Sequence, residues 1–121
     1  MPTRTTGAAR WFTEVTLAGP TREVQSTVLV QTTDTIVVNN SPDRVALEII
    51  NSGNFDVFIK FTPDGSLNGI RLGAAGGSVT MTVRDDFTLQ TRQLFGISSG
   101  GAATVTIFET LADILLPPEQ A

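Results

Sequence analysis

Apolar and polar residues alternate most regularly along residues 44–62, RVALEIINSGNFDVFIKFT. Three alternate residues share one face in each of two runs: Val45, Leu47 and Ile49 in the first, and Val57, Ile59 and Phe61 in the second. Alternation with period two predicts β-strands, because successive side chains of a strand point to opposite faces. The turn-forming insert at residues 51–54 lies between the runs. The stretch therefore predicts a β-hairpin.

Shorter alternating segments fill most of the remaining chain, and Asn, Asp, Gly, Pro and Ser separate them. They are residues 11–17, 23–31, 34–38, 70–72, 78–84, 87–91, 92–98 and 103–110. We expect Val79, Met81 and Val83 to point inward from one of these strands, and Phe95 and Ile97 from another. Many short strands at regular spacing are typical of an all-β, antiparallel β-sandwich, either a jelly roll or an Ig-like fold.

The two ends of the chain lack this pattern. Residues 1–10 are small and polar, which predicts a flexible N-terminal arm. Residues 11–110 form the predicted β-sandwich domain. Residues 111–121 form a short C-terminal tail, in which Leu111, Ile114 and Leu115 have the spacing of one or two helical turns before two prolines end it.

Composition excludes most catalytic chemistry. The 121 residues contain no histidine, cysteine or tyrosine. The usual general base, the paired nucleophiles and the preferred ligands of zinc are therefore missing. We predict that the protein is not an enzyme and has no cofactor and no metal site of that kind. The net charge of −4 argues against nucleic-acid binding, and the absence of a long apolar run or apolar leader argues against a membrane span or a secretory signal.

The remaining polar motifs are typical of turns. Asp85 and Asp86 are adjacent, so they would point to opposite faces of a strand and do not converge on one ligand. The glycine-rich residues 73–77 lack the lysine and the helix of a phosphate-binding loop, and they predict an ordinary connecting loop. Four aspartates, Asp34, Asp43, Asp56 and Asp64, lie in predicted turns. Such residues can gather around calcium, although no spacing resembles an EF-hand.

The candidate interaction residues lie at the ends of the domain. They are Arg10, Trp11, Phe12, Leu111, Ile114, Leu115 and Leu116. Trp11 and Phe12 can either pack on the domain's own core or anchor the arm to a neighbouring molecule, a role in which tryptophan is enriched. The chain has seven arginines and one lysine. This bias suits a protein that contacts other proteins, because the planar guanidinium forms well-ordered hydrogen bonds at interfaces.

Three longer segments carry a family resemblance. They are residues 40–53 (NSPDRVALEIINSG), residues 69–80 (GIRLGAAGGSVT) and residues 95–109 (FGISSGGAATVTIFE). Their order of strands and glycine turns resembles small β-sandwich virion proteins of tailed bacteriophages, including capsid decoration, or cement, proteins.

The resemblance implies a structural role. A decoration protein binds the outer surface of an assembled phage capsid and stabilises it by bridging capsomers. The implied partners are the major capsid protein and copies of the chain itself, as a homotrimer or a dimer. The implied location is the capsid surface of the virion, after synthesis in the bacterial host cytoplasm.

Two other function classes remain open. A phage tail or fibre component, or an adhesin-type module that recognises a host surface or another virion protein, would use the same fold. Such sugar or receptor readers favour exposed aromatic residues, and this chain has one tryptophan and no tyrosine. A cupin-like enzyme would need histidine ligands, which the chain lacks.

Overall fold

The computed structural model describes residues 21–86 and 88–112, and the predicted strand at residues 11–17 lies outside them. Eight β-strands make up this part of the chain. They are β1 (Thr21–Val30), β2 (Thr35–Val38), β3 (Arg44–Asn51), β4 (Val57–Lys60), β5 (Ile70–Leu72), β6 (Ser78–Thr82), β7 (Leu94–Ser98) and β8 (Ala103–Ala112).

The strands form two four-stranded antiparallel sheets. The first sheet has the order β1-β8-β3-β6 and the second has the order β2-β7-β4-β5. The pairs β1–β8, β2–β7, β3–β6 and β4–β5 are nested, as though one long hairpin had been folded over itself. This is the arrangement of an eight-stranded jelly roll. The predicted all-β antiparallel sandwich is confirmed, and the jelly roll is the form it takes.

The hydrophobic core lies between the two sheets and draws on both. Its buried members are Val30, Val37, Val38, Leu47, Ile49, Val57, Ile59, Leu72, Met81, Leu94, Ala103, Val105 and Ile107. Alternation places most of them correctly, because every second residue of a sandwich strand faces the opposite sheet. The predicted inward positions of Leu47, Ile49, Val57 and Ile59 are confirmed.

The predicted hairpin at residues 44–62 is wrong. β3 lies in the first sheet, where it pairs with β8 and β6, and β4 lies in the second sheet, where it pairs with β7 and β5. Residues 52–56 are therefore a crossover between the sheets. Regular alternation in two consecutive strands does not determine that they pair with each other, because strands distant in sequence can form a better-matched hydrogen-bond ladder with each of them.

Asn51 explains why the chain turns away from β3 at this point. Its side chain is fully buried, and its Nδ2 donates hydrogen bonds to the carbonyl oxygens of Phe55 at 2.8 Å and Leu72 at 2.9 Å. Its Oδ1 accepts a hydrogen bond from Gly53 N at 3.0 Å. One amide side chain thus satisfies three backbone groups at the crossover.

A β-bulge changes the facing of the first residues of β3. Arg44 pairs with Leu111 and Ala46 pairs with Thr110, so Val45 is the extra residue. The alternation pattern predicts that Val45 faces the core and Arg44 faces away. In the structure Arg44 is 3% exposed and Val45 is half-buried, since an extra residue reverses the alternation on one side of a bulge.

The region after β6 also departs from the sequence-based prediction. The predicted strand at residues 78–84 ends at Thr82, and Val83–Asp86 forms a single helical turn. A 3₁₀ turn at Leu89–Thr91 lies where a strand was predicted at residues 87–91. Alternation in a segment of about five residues is too short to exclude a tight turn. No helix among the described residues is long and apolar enough to cross a membrane.

The predicted facing of β7 is reversed. Leu94 belongs to the core cluster, and a Cβ atom on Gly96 would lie 2.8 Å from Val37 Cγ2 and 3.4 Å from both Cγ atoms of Val30. Leu94 and Gly96 therefore face the opposite sheet, and Phe95 and Ile97 lie on the other side of β7, where Ile97 is nevertheless buried at 3% exposure. The prediction favoured the larger residues for the core, but the valines opposite β7 already fill the space at Gly96.

β8 extends further than the alternation indicates. It continues through Leu111 and Ala112, two residues beyond the predicted start of the tail, and these pair with Arg22 and Thr21. Leu111 is thus part of a strand and does not begin a helical turn. The remaining residues of the predicted tail lie outside the described residues.

Candidate interaction surface

Two clusters of charged side chains join different parts of the sandwich. The first surrounds Lys60, whose residue is 6% exposed. Lys60 Nζ lies 2.7 Å from Asp64 Oδ1, 2.8 Å from Asp34 Oδ1 and 2.7 Å from the carbonyl oxygen of Ser66. An ammonium group has three donor hydrogens, so three oxygen atoms surround one buried cation.

The pKa values of this cluster reflect the pairing. Burial alone would lower the pKa of Lys60, but hydrogen bonds to Asp34 and Asp64 outweigh burial and raise the pKa above its usual value. The hydrogen bond from Lys60, together with those from Ser66, holds the pKa of Asp64 well below its usual range. Lys60 and Asp64 are therefore charged at neutral pH.

The Lys60 cluster ties a loop to the outer side of the second sheet. Lys60 lies on β4, Asp34 directly precedes β2, and β7 lies between these strands. The residue pair Lys60 and Phe95 faces outward, so the lysine side chain crosses the outer side of β7 to reach Asp34. Gly65 N also donates a hydrogen bond to Asp34 Oδ2 at 2.7 Å. The loop at residues 61–69 thus covers part of this face.

Three of the four turn aspartates, Asp34, Asp56 and Asp64, are partnered by basic side chains of the chain itself. Asp56 Oδ2 lies 2.8 Å from Arg71 Nη2, and its Oδ1 accepts a hydrogen bond from Ala74 N at 3.1 Å. The hydrogen bond from Arg71 is the largest cause of the lowered pKa of Asp56. With Asp34 and Asp64 paired to Lys60, the described residues contain no group of three acidic, histidine or cysteine side chains placed to hold a metal ion.

The second charged cluster surrounds Arg44, the first residue of β3. Arg44 Nε lies 2.8 Å from Glu109 Oε2, joining β3 to β8. Its Nη1 donates to the carbonyl oxygen of Gln90 at 2.9 Å, and its Nη2 donates to that of Asn39 at 2.8 Å. One guanidinium therefore fastens two strands and two connecting loops. These arginine contacts lie within the subunit. Arg92 also makes a contact within the subunit, because its guanidinium carbon lies 4.5 Å from the centroid of the Phe61 ring.

The outer face of the first sheet has a very different character. Alternation away from the core assigns sixteen positions to it: Thr21, Glu23, Gln25, Thr27, Leu29, Ala46, Glu48, Ile50, Ser78, Thr80, Thr82, Thr104, Thr106, Phe108, Thr110 and Ala112. We call this surface the threonine face. Seven of its positions are threonine, none is lysine or arginine, and the acidic residues are Glu23 and Glu48.

Large apolar side chains are exposed on the threonine face. Leu29 is 52% exposed and Phe108 is 40% exposed. The register places Phe108 between Gln25 and Glu48, and Leu29 opposite Thr104. Protein-binding surfaces are depleted in charge at their centre and enriched in aromatic residues, whereas ordinary surfaces are more charged. The threonine face therefore has the composition of an interface, and it is the candidate interaction surface.

The interaction residues predicted from sequence lie elsewhere. Arg10, Trp11, Phe12, Ile114, Leu115 and Leu116 are outside the described residues. Leu111 is half-buried on β8, on the side opposite the threonine face. Sequence reasoning placed Thr104, Thr106 and Phe108 on one side of their strand, but it did not join them to Leu29. The order of strands, which brings β1 beside β8, was needed for that step.

The described chain is a small all-β protein with jelly-roll topology. No family model matches its sequence, and no curated protein matches it. A solved structure described as "Bacillus endospore appendages form a novel family of disulfide-linked pili" is similar in fold, with 16% sequence identity and a TM-score of 0.48. The alignment covers 77% of this chain and 87% of that chain.

Proposed function

We propose that the chain is a non-catalytic structural protein of a phage virion, of the capsid decoration type. In this role it binds the outer surface of the assembled capsid and bridges neighbouring capsomers. Its partners are the major capsid protein and further copies of itself. It is made in the bacterial host cytoplasm and resides on the capsid surface.

The threonine face is the observation that supports this proposal. Docking a surface removes it from water, and each strongly hydrated charge that is buried without a partner opposes binding. Fourteen of the sixteen positions on the threonine face are uncharged, and the exposed Leu29 and Phe108 supply apolar area. Such a face loses little hydration when it docks on a broad protein surface such as a capsid shell.

The placement of the charged groups supports the same role. Lys60 and Arg44 are buried and paired with acidic residues of the same subunit. They fix the loops at both ends of the strands, which keeps the sandwich rigid without contributing chemistry at the surface. A rigid subunit loses little conformational entropy on binding, which favours a protein whose task is mechanical.

Stabilisation of the capsid would follow from binding linkage. A protein that binds only the expanded, assembled shell shifts the equilibrium toward that state. Repetition of the contact over a symmetric shell multiplies a modest energy per copy. The terminal residues Arg10, Trp11, Phe12, Leu111, Ile114, Leu115 and Leu116 are proposed as further contacts in the same assembly.

The test is co-sedimentation of the purified protein with heads of the phage that encodes it, before and after capsid expansion. Phe108→Glu and Leu29→Glu each place a carboxylate in the proposed contact. We expect each to weaken binding to expanded heads by about 30-fold, the effect of losing about 2 kcal/mol at an interface centre. The control is Leu67→Glu, because Leu67 is 53% exposed and lies in the β4–β5 loop of the other sheet.

Two results would contradict the proposal. One is the absence of binding to expanded heads by the unaltered protein. The other is binding that Phe108→Glu and Leu67→Glu weaken equally. Separated tails are included in the same experiment, and binding to tails but not to heads would identify a tail component and overturn the capsid assignment.

A further inference from the structure

β1 is an edge strand of unusual length. It spans ten residues, and among the described residues it pairs only with β8. In an antiparallel strand alternate residues direct both N–H and C=O to the same side, so about five residues of β1 present their backbone groups to its free side. Unpaired backbone groups along a strand form a template for the addition of another strand.

β1 lacks the features that usually prevent such pairing. Its sequence, TREVQSTVLV, contains no proline, glycine or lysine, and its ladder with β8 has no bulge. Its charged residues are Arg22 and Glu23, near one end. The segment from Val24 to Val30 is uncharged and rich in β-branched residues. Natural edge strands commonly carry lysine, proline or a bulge for protection, so β1 is suited to pairing.

We infer that β1 pairs in the antiparallel direction with β1 of a second copy of this chain. The inference names the surface through which copies associate in the proposed function, and it rests on that function for its biological role. The other edge strands of the described part, β6, β2 and β5, have five, four and three residues. Another β1 is the edge strand of the described part that can pair along almost the whole of these ten residues.

Charge placement and the length of overlap together select the register of the pair. A two-fold axis at Gln25 sets Arg22 opposite Val28 and Glu23 opposite Thr27. An axis at Ser26 sets Arg22 opposite Val30 and Glu23 opposite Leu29. Neither register opposes like charges, whereas an axis at Arg22 or Glu23 would place identical charges face to face, which destabilises a strand pair. An axis at Gln25 or Ser26 also pairs nine residues of each ten-residue strand, more than an axis at any other residue, so the dimer is centred on one of these two residues.

The pairing has a consequence for the threonine face. It joins two first sheets into one sheet of eight strands, so the two threonine faces become continuous across the two-fold axis. The exposed Leu29 of each copy then lies near the junction. A dimer of this kind presents twice the area to a partner surface, and each copy strengthens the attachment of the other.

Single cysteines test the inference, because the natural chain has none. Gln25→Cys and Ser26→Cys are oxidised separately, and disulfide-linked dimers are measured on non-reducing gels without any capsid present. Residues that face their own copy across a two-fold axis are held at millimolar effective concentration, so one of these variants should cross-link about tenfold faster than controls. The controls are Thr80→Cys on β6 and Thr104→Cys on β8, both exposed positions of the same face.

A second pair of variants tests the association without a covalent bond. Gln25→Lys combined with Thr27→Lys places lysines along the proposed junction, and sedimentation should show a shift from dimer to monomer. Thr80→Lys combined with Thr104→Lys adds the same charge elsewhere on the face and should leave the dimer intact. Because both experiments use the free protein, their outcome is independent of whether the protein binds capsids.

Three results would overturn the inference. The unaltered protein could remain a monomer at all concentrations. The control cysteines could cross-link as fast as those on β1. A mixture of the Gln25→Cys and Thr80→Cys proteins could yield mainly mixed dimers, which would show β1 pairing with β6 of a neighbour and a ring in place of a two-fold dimer.

Discussion

Replacement of Asn51 by alanine tests whether one buried side chain directs the chain from the first sheet to the second. Asn51 makes three side-chain hydrogen bonds, to Phe55 O, Leu72 O and Gly53 N. Each is worth about 1 kcal/mol net, and leaving buried partners unsatisfied adds to the cost. We expect Asn51→Ala to lower the free energy of unfolding by about 3–4 kcal/mol. This is a large fraction of the total for a small domain, about 5–15 kcal/mol.

Urea unfolding followed by far-ultraviolet circular dichroism measures this loss. The midpoint should fall while the slope with denaturant stays unchanged, since the folded state remains equally compact. Ser52→Ala is the matched control. Ser52 Oγ makes one exposed hydrogen bond, to Thr104 O at 3.1 Å, so its loss should cost about 0.5 kcal/mol. If Asn51→Ala costs no more than Ser52→Ala, the assignment of the crossover to this amide is wrong.

The Lys60 cluster supports two further predictions. Lys60→Met leaves Asp34 and Asp64 without their cation and should clearly lower the midpoint of urea unfolding, because the Lys60 side chain is 5% exposed and both carboxylates lose a close opposite charge. Arg71→Met should lower the midpoint less, because the Arg71 side chain is 66% exposed and its pair with Asp56 is screened by water; equal shifts would refute the reasoning. The stability of the fold should also fall at both low and high pH. The lowered pKa of Asp64 contributes stability above about pH 4, and this contribution is lost as the pH falls. The raised pKa of Lys60 contributes stability below about pH 10, and this contribution is lost as the pH rises. Asp64→Asn should flatten the acid limb in a series of urea titrations, and an unchanged acid limb would show that other carboxyl groups cause it.

Local pattern predicted which segments of the described chain are strands more successfully than it predicted their facing. β3, β6 and β8 begin within one residue of the positions that alternation indicates. The facing failed at Arg44, where a bulge intervenes, and at Phe95, where Gly96 is required opposite Val37. Both failures depend on a partner strand, so no window of local sequence contains the information.

The candidate surface was predictable in part for the same reason. Thr80 and Thr82 on β6, and Thr104 and Phe108 on β8, follow from alternation alone. Alternation does not predict that these residues share a face with β1. β1 and β8 are separated by most of the chain, and they lie side by side because of the nested pairing of the jelly roll. The ion pairs of Lys60 with Asp34 and of Arg44 with Glu109 likewise join residues that are distant in the sequence.

The sequence by itself determined an all-β sandwich without the residues that most catalysis requires. Those properties follow from period-two alternation, from turn-forming residues and from composition, all of which act locally or are simply counted. The tertiary structure alone decided that β3 and β4 belong to different sheets. It also decided that Arg44 is buried and bonded to β8 and to two connecting loops. The physical reason is that strand pairing and burial depend on competition among all strands for partners. The hydrogen bonds of Asn51 stabilise the crossover between the sheets in the place where a tight turn would have stabilised a hairpin.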